Sequence, residues 1–329
     1  MNEQQTMLAD MAGGLFAELG HGATFAGHWS RIEEMGFAGL LLPESAGGFG
    51  GTWADAGIVF RLAGYHALGL PLVEAVIASR LAADAGFAGT GLGTVAQAAA
   101  GSLADGRFTG LVTGAAWGRD AAYVAAPAPT GGTMLLATAG ARVEEGASVA
   151  GEPRDRLHFA DAPATLLDCD LFGLAAAARV MQMAGALDAA LVMAVDHVNE
   201  RKQFGKPLGK FQAMQQVLAL FAGEAAATNC AAIEVARALD RGDARFEIAA
   251  AKARANMAAG QCAAIAHQAH GAIGFTHEYG LHPLTRRLWS WRSEFGGEAH
   301  WTLALGTMVA GGGAEAFWPD MVRRSDQAA

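Results

Sequence analysis

The sequence predicts a mostly α protein with a small β-domain set between two helical domains, an α+β multidomain chain, and two observations carry that expectation. Apolar residues recur at helical spacing over long stretches after about Leu171, in runs from Gly173 to Phe204, Phe211 to Asp240 and Glu247 to His270. Between about Asp105 and Ala164 that period disappears. Short strand-like runs replace it at Arg107–Thr113, Ala121–Ala126, Thr133–Thr138 and Arg156–Ala160, and Pro127-Ala128-Pro129-Thr130-Gly131-Gly132 reads as a hairpin connection between two of them. The implied domains are a helical amino-terminal domain over 1–103, a reduced middle β-domain over 104–166, and a carboxy-terminal helical bundle over 167–329.

The elements follow in order. In the first domain Trp29, Ile32, Met35 and Phe37 cluster at helical spacing, a second helix carries Ile58, Val59, Phe60 and Leu62, and a third follows Pro71. The glycines at 47–51 lack the strand-to-helix context of a phosphate cradle and read as a loop. In the last domain a loop at 271–282 precedes two shorter helices around Pro283–Ser293 and Gly297–Gly311. Long helices with broad apolar faces and short connections imply an antiparallel four-helix bundle.

Composition narrows the function classes. Hydrophobic residues make up 52% and charged ones 17%, which points to apolar surface shared between subunits in a homo- or hetero-oligomer. A net charge of −9 argues against nucleic acid. Cys169, Cys230 and Cys262 are scattered and read as reduced thiols in a cytoplasmic protein, and the start shows no secretory signal. The most apolar window, Leu171 to Val195, holds Arg179, Gln182 and Asp188, and reads as a buried helix and not a membrane span. His267 and His270 sit at i, i+3 without a third ligand at suitable spacing, so no metal site is expected.

The segment 199–212 is the most distinctive. Gly205 and Pro207 break the helical pattern and leave Arg201, Lys202, Gln203, Lys206, Lys210 and Gln212 around a corner that opens the next helix. A planar Arg fork beside a helix amino-terminus suits a phosphate or pyrophosphate; a solvated helix connection is the alternative.

Three segments resemble the acyl-CoA dehydrogenase family. Glu200-Arg201-Lys202-Gln203-Phe204-Gly205-Lys206-Pro207 with Phe211-Gln212 is similar to the signature opening that family's bundle. Gln268-Ala269-His270-Gly271-Ala272-Ile273-Gly274-Phe275 is similar to its Gln-x-x-Gly-Gly-x-Gly-Phe segment, and Gly36 to Glu44 with Gly47-Gly48-Phe49-Gly50 to a third. The resemblance implies an FAD enzyme that desaturates an acyl-CoA substrate and passes electrons to an acceptor flavoprotein. It implies that Arg201 reaches the FAD pyrophosphate across a subunit interface with Gln203 and Phe204 beside it, that Gln212 lies near the adenosine, and that Gln268, Gly271 and Ala272 touch the adenine end.

The family also needs a carboxylate base and β-domain groups holding the flavin ring. The base position falls on Phe295, with Glu294 one residue before it as the catalytic candidate, and the family's Thr-Glu-Pro-x-Ala-Gly-Ser and Trp-Ile-Thr/Ser segments are not found. In the family, ring and base come from one subunit and the flavin-tail contacts from its neighbour. The resemblance therefore implies one half of a heteromeric α₂β₂ acyl-CoA dehydrogenase, paired with a second dehydrogenase-like subunit and associated with bulky acyl groups such as steroid side chains. A self-sufficient homomer using Glu294 and a non-catalytic helical scaffold are the two alternatives.

Overall fold

The computed structural model describes residues 1–328. Helix α1 (Glu3–Leu19) starts on a reciprocal cap: Asn2 accepts from the Gln5 backbone N–H at 2.8 Å, and the Gln5 side chain accepts from the Asn2 N–H at 3.2 Å. It is followed by α2 (Phe25–Glu34), α3 (Trp53–Tyr65) and α4 (Leu72–Asp84). Thr52 and Asp55 cap α3 in the same reciprocal way, and Pro71 precedes α4, where its missing N–H is no loss. The glycine loop at 47–51 spends its N–H groups on the carbonyls of Gly39, Leu40, Leu42, Pro43 and Glu44. Those donors are consequently not free to hold an anion.

The seven strands of the middle domain are β1 (Gly93–Val95), β2 (Ala98–Ala104), β3 (Arg107–Ala116), β4 (Tyr123–Pro127), β5 (Thr133–Ala137), β6 (Arg142–Glu144) and β7 (Arg154–Leu167). They form one sheet in the order β1-β4-β5-β7-β3-β2, with β6 also on β7. The β1–β4 pair is parallel and the others antiparallel. Long β7 joins the two halves, pairing with β3 through its first part and with β5 through Ala164–Leu167. Phe108, Val112, Val124, Met134, Leu136 and Leu157 fill a separate core beneath it. The sheet begins at Gly93, inside the segment read as helical from the sequence. The run forming β2 is Ala-Ala-Ala-Gly-Ser-Leu-Ala, which carries no β-branched residue and is held as a strand by its ladder to β3.

The bundle consists of α5 (Leu171–Glu200), α6 (Gln212–Arg241), α7 (Arg245–His270), α8 (Leu281–Trp291), α9 (Glu298–Gly312) and α10 (Phe317–Ala328), with a two-stranded ribbon of β8 (Lys202–Gln203) and β9 (Lys206–Pro207) after α5. Helix α5 ends at Glu200 and not at Phe204, because the ribbon takes the backbone after Arg201 into extended geometry. Helix α10 was not anticipated; Pro319 lies in its first turn, where proline is tolerated. Helices α5, α6 and α7 pack on one another, α9 lies on α7, and α3 crosses α5.

That last crossing is unusually close. A Cβ placed on Gly64 of α3 would overlap the Gln182 carbonyl, and one on Gly185 of α5 would overlap the Arg61 carbonyl. Two glycines facing each other's backbone let the first domain sit directly on the bundle's central helix. By length and composition α5 and α6 could each cross a membrane. Helix α5 is instead buried in the core, whereas α6 turns Leu220 and Ile233 outward and leaves them more than half exposed.

Candidate functional site

One end of the bundle gathers all seven residues expected to meet a flavin tail. Helix α5 stops when the Arg201 N–H donates to the His197 carbonyl at 2.8 Å, and the Arg201 carbonyl then accepts from Leu208 N–H at 2.9 Å. Between these bonds the chain turns through the β8–β9 hairpin, with Phe204 at φ 53° and Gly205 at φ 81°. Two left-handed residues are what a two-residue hairpin loop requires. This hairpin carries Arg201, Lys202 and Gln203 on exposed backbone and holds Phe204 89% exposed at its tip. Behind it the Lys206 ammonium lies 4.3 Å from the centre of the Phe211 ring.

Gln212 is the first residue of α6, and Phe211 before it provides no side-chain cap. The leading N–H groups of α6 therefore add the helix's positive end to the same corner. Across from it, α7 finishes at His270. Gly271 turns at φ 64°, and a short 3-10 helix, Gly271–Phe275, follows. Gln268, Gly271 and Ala272 are exposed, and nothing lies within 4 Å of where a Cβ on Gly271 would stand. The backbone there is open to close approach by a ligand.

The two segments are held together by a small apolar cluster of Ala194 and Val198 from α5, Ala269 from α7, Leu208 from the turn before α6, and Met214 and Leu218 from the start of α6. Imidazole rings reinforce it: His197 of α5 stacks on His270 of α7 with ring centres 4.6 Å apart. An Arg fork, two glutamines, a helix amino-terminus and an open glycine turn stand at this end of the bundle. The donor set fits a pyrophosphate with an attached nucleoside.

Glu294 has a different environment. It is 4% exposed, just past the end of α8. Its Oε1 accepts from Arg154 Nε at 3.1 Å and from Ser290 Oγ at 2.9 Å, and its Oε2 accepts from Arg179 Nε at 2.8 Å and Arg154 Nη2 at 3.3 Å. Arg179 extends to Glu74 of α4 and to Gln182; Arg154 extends to Glu152, and Glu152 accepts from Arg287 Nε at 2.8 Å. Three carboxylates thus meet three guanidiniums in the interior, contributed by the first helical domain, the β-domain and the bundle. Aromatic faces line the guanidiniums: Trp117 lies 5.5 Å from Arg154, while Trp291 and Phe295 lie 5.9 and 5.8 Å from Arg179.

Burial alone would raise the Glu294 carboxyl, but Arg154 and Arg179 outweigh it and bring it down to about 2. A carboxylate this acidic and accepting four hydrogen bonds is a weak proton acceptor. Phe295, at the position where the family places its base, is buried with its ring 6.0 Å from that of Phe172.

Sequence reasoning missed this network. One signal was available: Arg179 and Gln182 interrupt an otherwise apolar run, and a charge inside a buried helix needs a partner. Also missed was Lys252, fully buried on α7, which donates to the Trp291 carbonyl and to Asn256 Oδ1, both at 2.8 Å, and fixes the turn that carries Glu294.

Residues 170–297 match the family described as acyl-CoA dehydrogenase, C-terminal domain. Acyl-CoA dehydrogenase IpdE2 of Mycobacterium tuberculosis is 29% identical over 266 residues, which span 78% of this chain and 77% of that protein. Among solved structures, a variant of the Tcur3481-Tcur3483 steroid ACAD is similar with TM-score 0.85 and 25% identity, covering 95% of this chain and 99% of that one. The ChsE4-ChsE5 complex from Mycobacterium tuberculosis shares the fold with TM-score 0.78 at 20% identity, covering 94% and 98%.

Proposed function

We propose that this chain, whose residues 170–297 match the acyl-CoA dehydrogenase C-terminal domain, is one subunit of an FAD-dependent acyl-CoA dehydrogenase, giving pyrophosphate and adenosine contacts to a flavin whose ring and base lie in a partner chain. The single observation that carries this reading is the state of Glu294. Its carboxylate is committed to Arg154, Arg179 and Ser290. To act as a base it would have to give up those bonds inside a dry interior, where an unpaired guanidinium is strongly unfavourable.

The bundle end supports the other half of the proposal. FAD, when bound, supplies the hydride acceptor for the oxidation. This chain's share is binding and orientation: Arg201 pairs with pyrophosphate oxygens, the first N–H groups of α6 add their partial positive charge, and Gln212 and Gln268 present amides to the nucleoside. Phe204, fully projected on its hairpin, would be covered by the neighbouring subunit. The apolar outer face of α6 with Leu220 and Ile233, and Leu303 on α9, offer further surface for such a neighbour. The names of two similar structures, a steroid ACAD and a two-component complex, support a heteromer acting on acyl-CoA thioesters with a bulky, steroid-like acyl group.

Co-expression with a candidate partner of the same family tests the proposal. The purified complex should hold about half as many flavins as chains, and this chain alone should be colourless and inert. A yellow homotetramer of this chain with one FAD per subunit, active on an acyl-CoA, would support the self-sufficient alternative with Glu294 as base and overturn the proposal.

A further inference from the structure

The two arms of the flavin-tail site meet at a pair of histidines. His197 lies one turn before Arg201 and receives the Arg201 N–H on its carbonyl; His270 directly precedes Gly271 and lies two residues after Gln268. The rings stack at 4.6 Å with an interplanar angle of 28°. His270 is buried, and both of its ring nitrogens have partners. Its Nδ1 donates to the Ala266 carbonyl at 2.7 Å, an oxygen that only accepts, which leaves Nε2 to accept from the Tyr279 hydroxyl at 3.1 Å.

We propose that the His197–His270 stack positions the two arms, holding the Arg201 corner against the Gln268–Phe275 segment while the His197 ring is uncharged, and releasing the flavin tail when protonation of His197, beside Arg201, disrupts the stack. The inference rests on the reading of these segments as the tail site given above.

The surroundings favour an uncharged His197. Burial, then the facing His270 and Arg201, hold His197 below the usual imidazole value, with Glu200 opposing. Beside these, α5 contributes Asp196, α7 contributes His267, the segment after α7 contributes Glu278 and Tyr279, and the turn before α6 contributes Lys210. The first turn of α6 offers only the neutral Gln212, Gln215 and Gln216. The two acids nearest in sequence, Asp196 and Glu200, are exposed, so they oppose the repulsion weakly.

The test uses the flavin-loaded complex with its partner, following FAD release by fluorescence between pH 7.5 and 5.5. Wild type should lose FAD about tenfold faster at the lower pH, the equivalent of one pKa unit of differential interaction. His197→Phe keeps a stacked ring and removes its proton; it should retain FAD as wild type does at pH 7.5 and lose most of the acid-induced acceleration. His197→Lys should release FAD at pH 7.5 as fast as wild type does at pH 5.5. A His197→Phe complex with the wild-type pH profile, or a wild type with none, overturns the proposal. Arg201→Ala in the same assay separates the two levels: if it leaves FAD release unchanged, the tail site itself is misplaced, whereas if it accelerates release while His197→Phe titrates like wild type, only the histidine proposal fails.

Discussion

Replacing Glu294 by Gln keeps the shape of the side chain and removes its charge, which leaves Arg154 and Arg179 facing an amide in the interior. Breaking one partner out of a buried ion pair costs about 3–5 kcal/mol. A second route gives a similar size. The carboxyl falls from 4.5 in the unfolded chain to about 2 in the fold, and a shift of that extent is worth about 3 kcal/mol at neutral pH. Because the folded value is the lower one, this stability is fully present above pH 4.5 and is lost as pH falls toward 2. In urea the midpoint of unfolding of Glu294→Gln should drop by about 1 M or more at pH 7. The wild-type and variant midpoints should converge as pH falls below 4.5. Activity of the partnered complex should fall only with the amount of folded protein. A variant with the wild-type midpoint at both pH values, in a fully assembled complex that has lost all turnover, would show that Glu294 is a base and that the network reasoning is wrong.

Three further outcomes follow from the same structure. Arg201→Ala should weaken FAD retention in the partnered complex by roughly thirtyfold, as removal of a charge-assisted bond worth ~2 kcal/mol implies, with no change in the thermal midpoint of the isolated chain. Gly185→Ala should destabilise the chain by about 1–3 kcal/mol or more, because the new methyl meets the Arg61 carbonyl on α3 and two packed helices must separate; Gly223→Ala, with open space around it, should not. Lys252 is held down to about 7 by burial, so the folded chain gives up that proton well before the unfolded one does. Stability should therefore rise with pH between about 7 and 10, and Lys252→Met should flatten that rise in a series of urea titrations.

Much of the fold was legible in the chain itself, for reasons local to each element. The bundle helices announce themselves because a buried apolar face repeats every three to four residues, and that spacing survives in the sequence. The corner at Arg201–Gln212 was visible because Gly205 and Pro207 interrupt such a pattern between two long runs, and the glycines of Gly271–Gly274 mark a turn in the same way. Strands β1 and β2 were not legible. Three residues are too few for β1 to show a period, and the alanine-rich run of β2 has no preference for extension; partners on β4 and β3 hold them there. The end of α5 was placed late because a two-residue hairpin leaves almost no trace in apolar periodicity.

The sequence alone determined that an Arg fork, amides and an open glycine turn exist in this chain and that they lie at helix ends, since each is written in a few consecutive residues. Only the tertiary structure decided that these ends meet, through Ala194, Val198, Ala269 and the stacked His197 and His270. It likewise decided the environment of Glu294, because Glu74, Glu152, Arg154, Arg179 and Arg287 come from four distant stretches of chain and no pattern along the sequence pairs them. The physical reason is common to both cases. Periodicity and turn chemistry act between neighbours in sequence, whereas the proton affinity of a buried carboxylate depends on which charges the fold brings within a few ångströms.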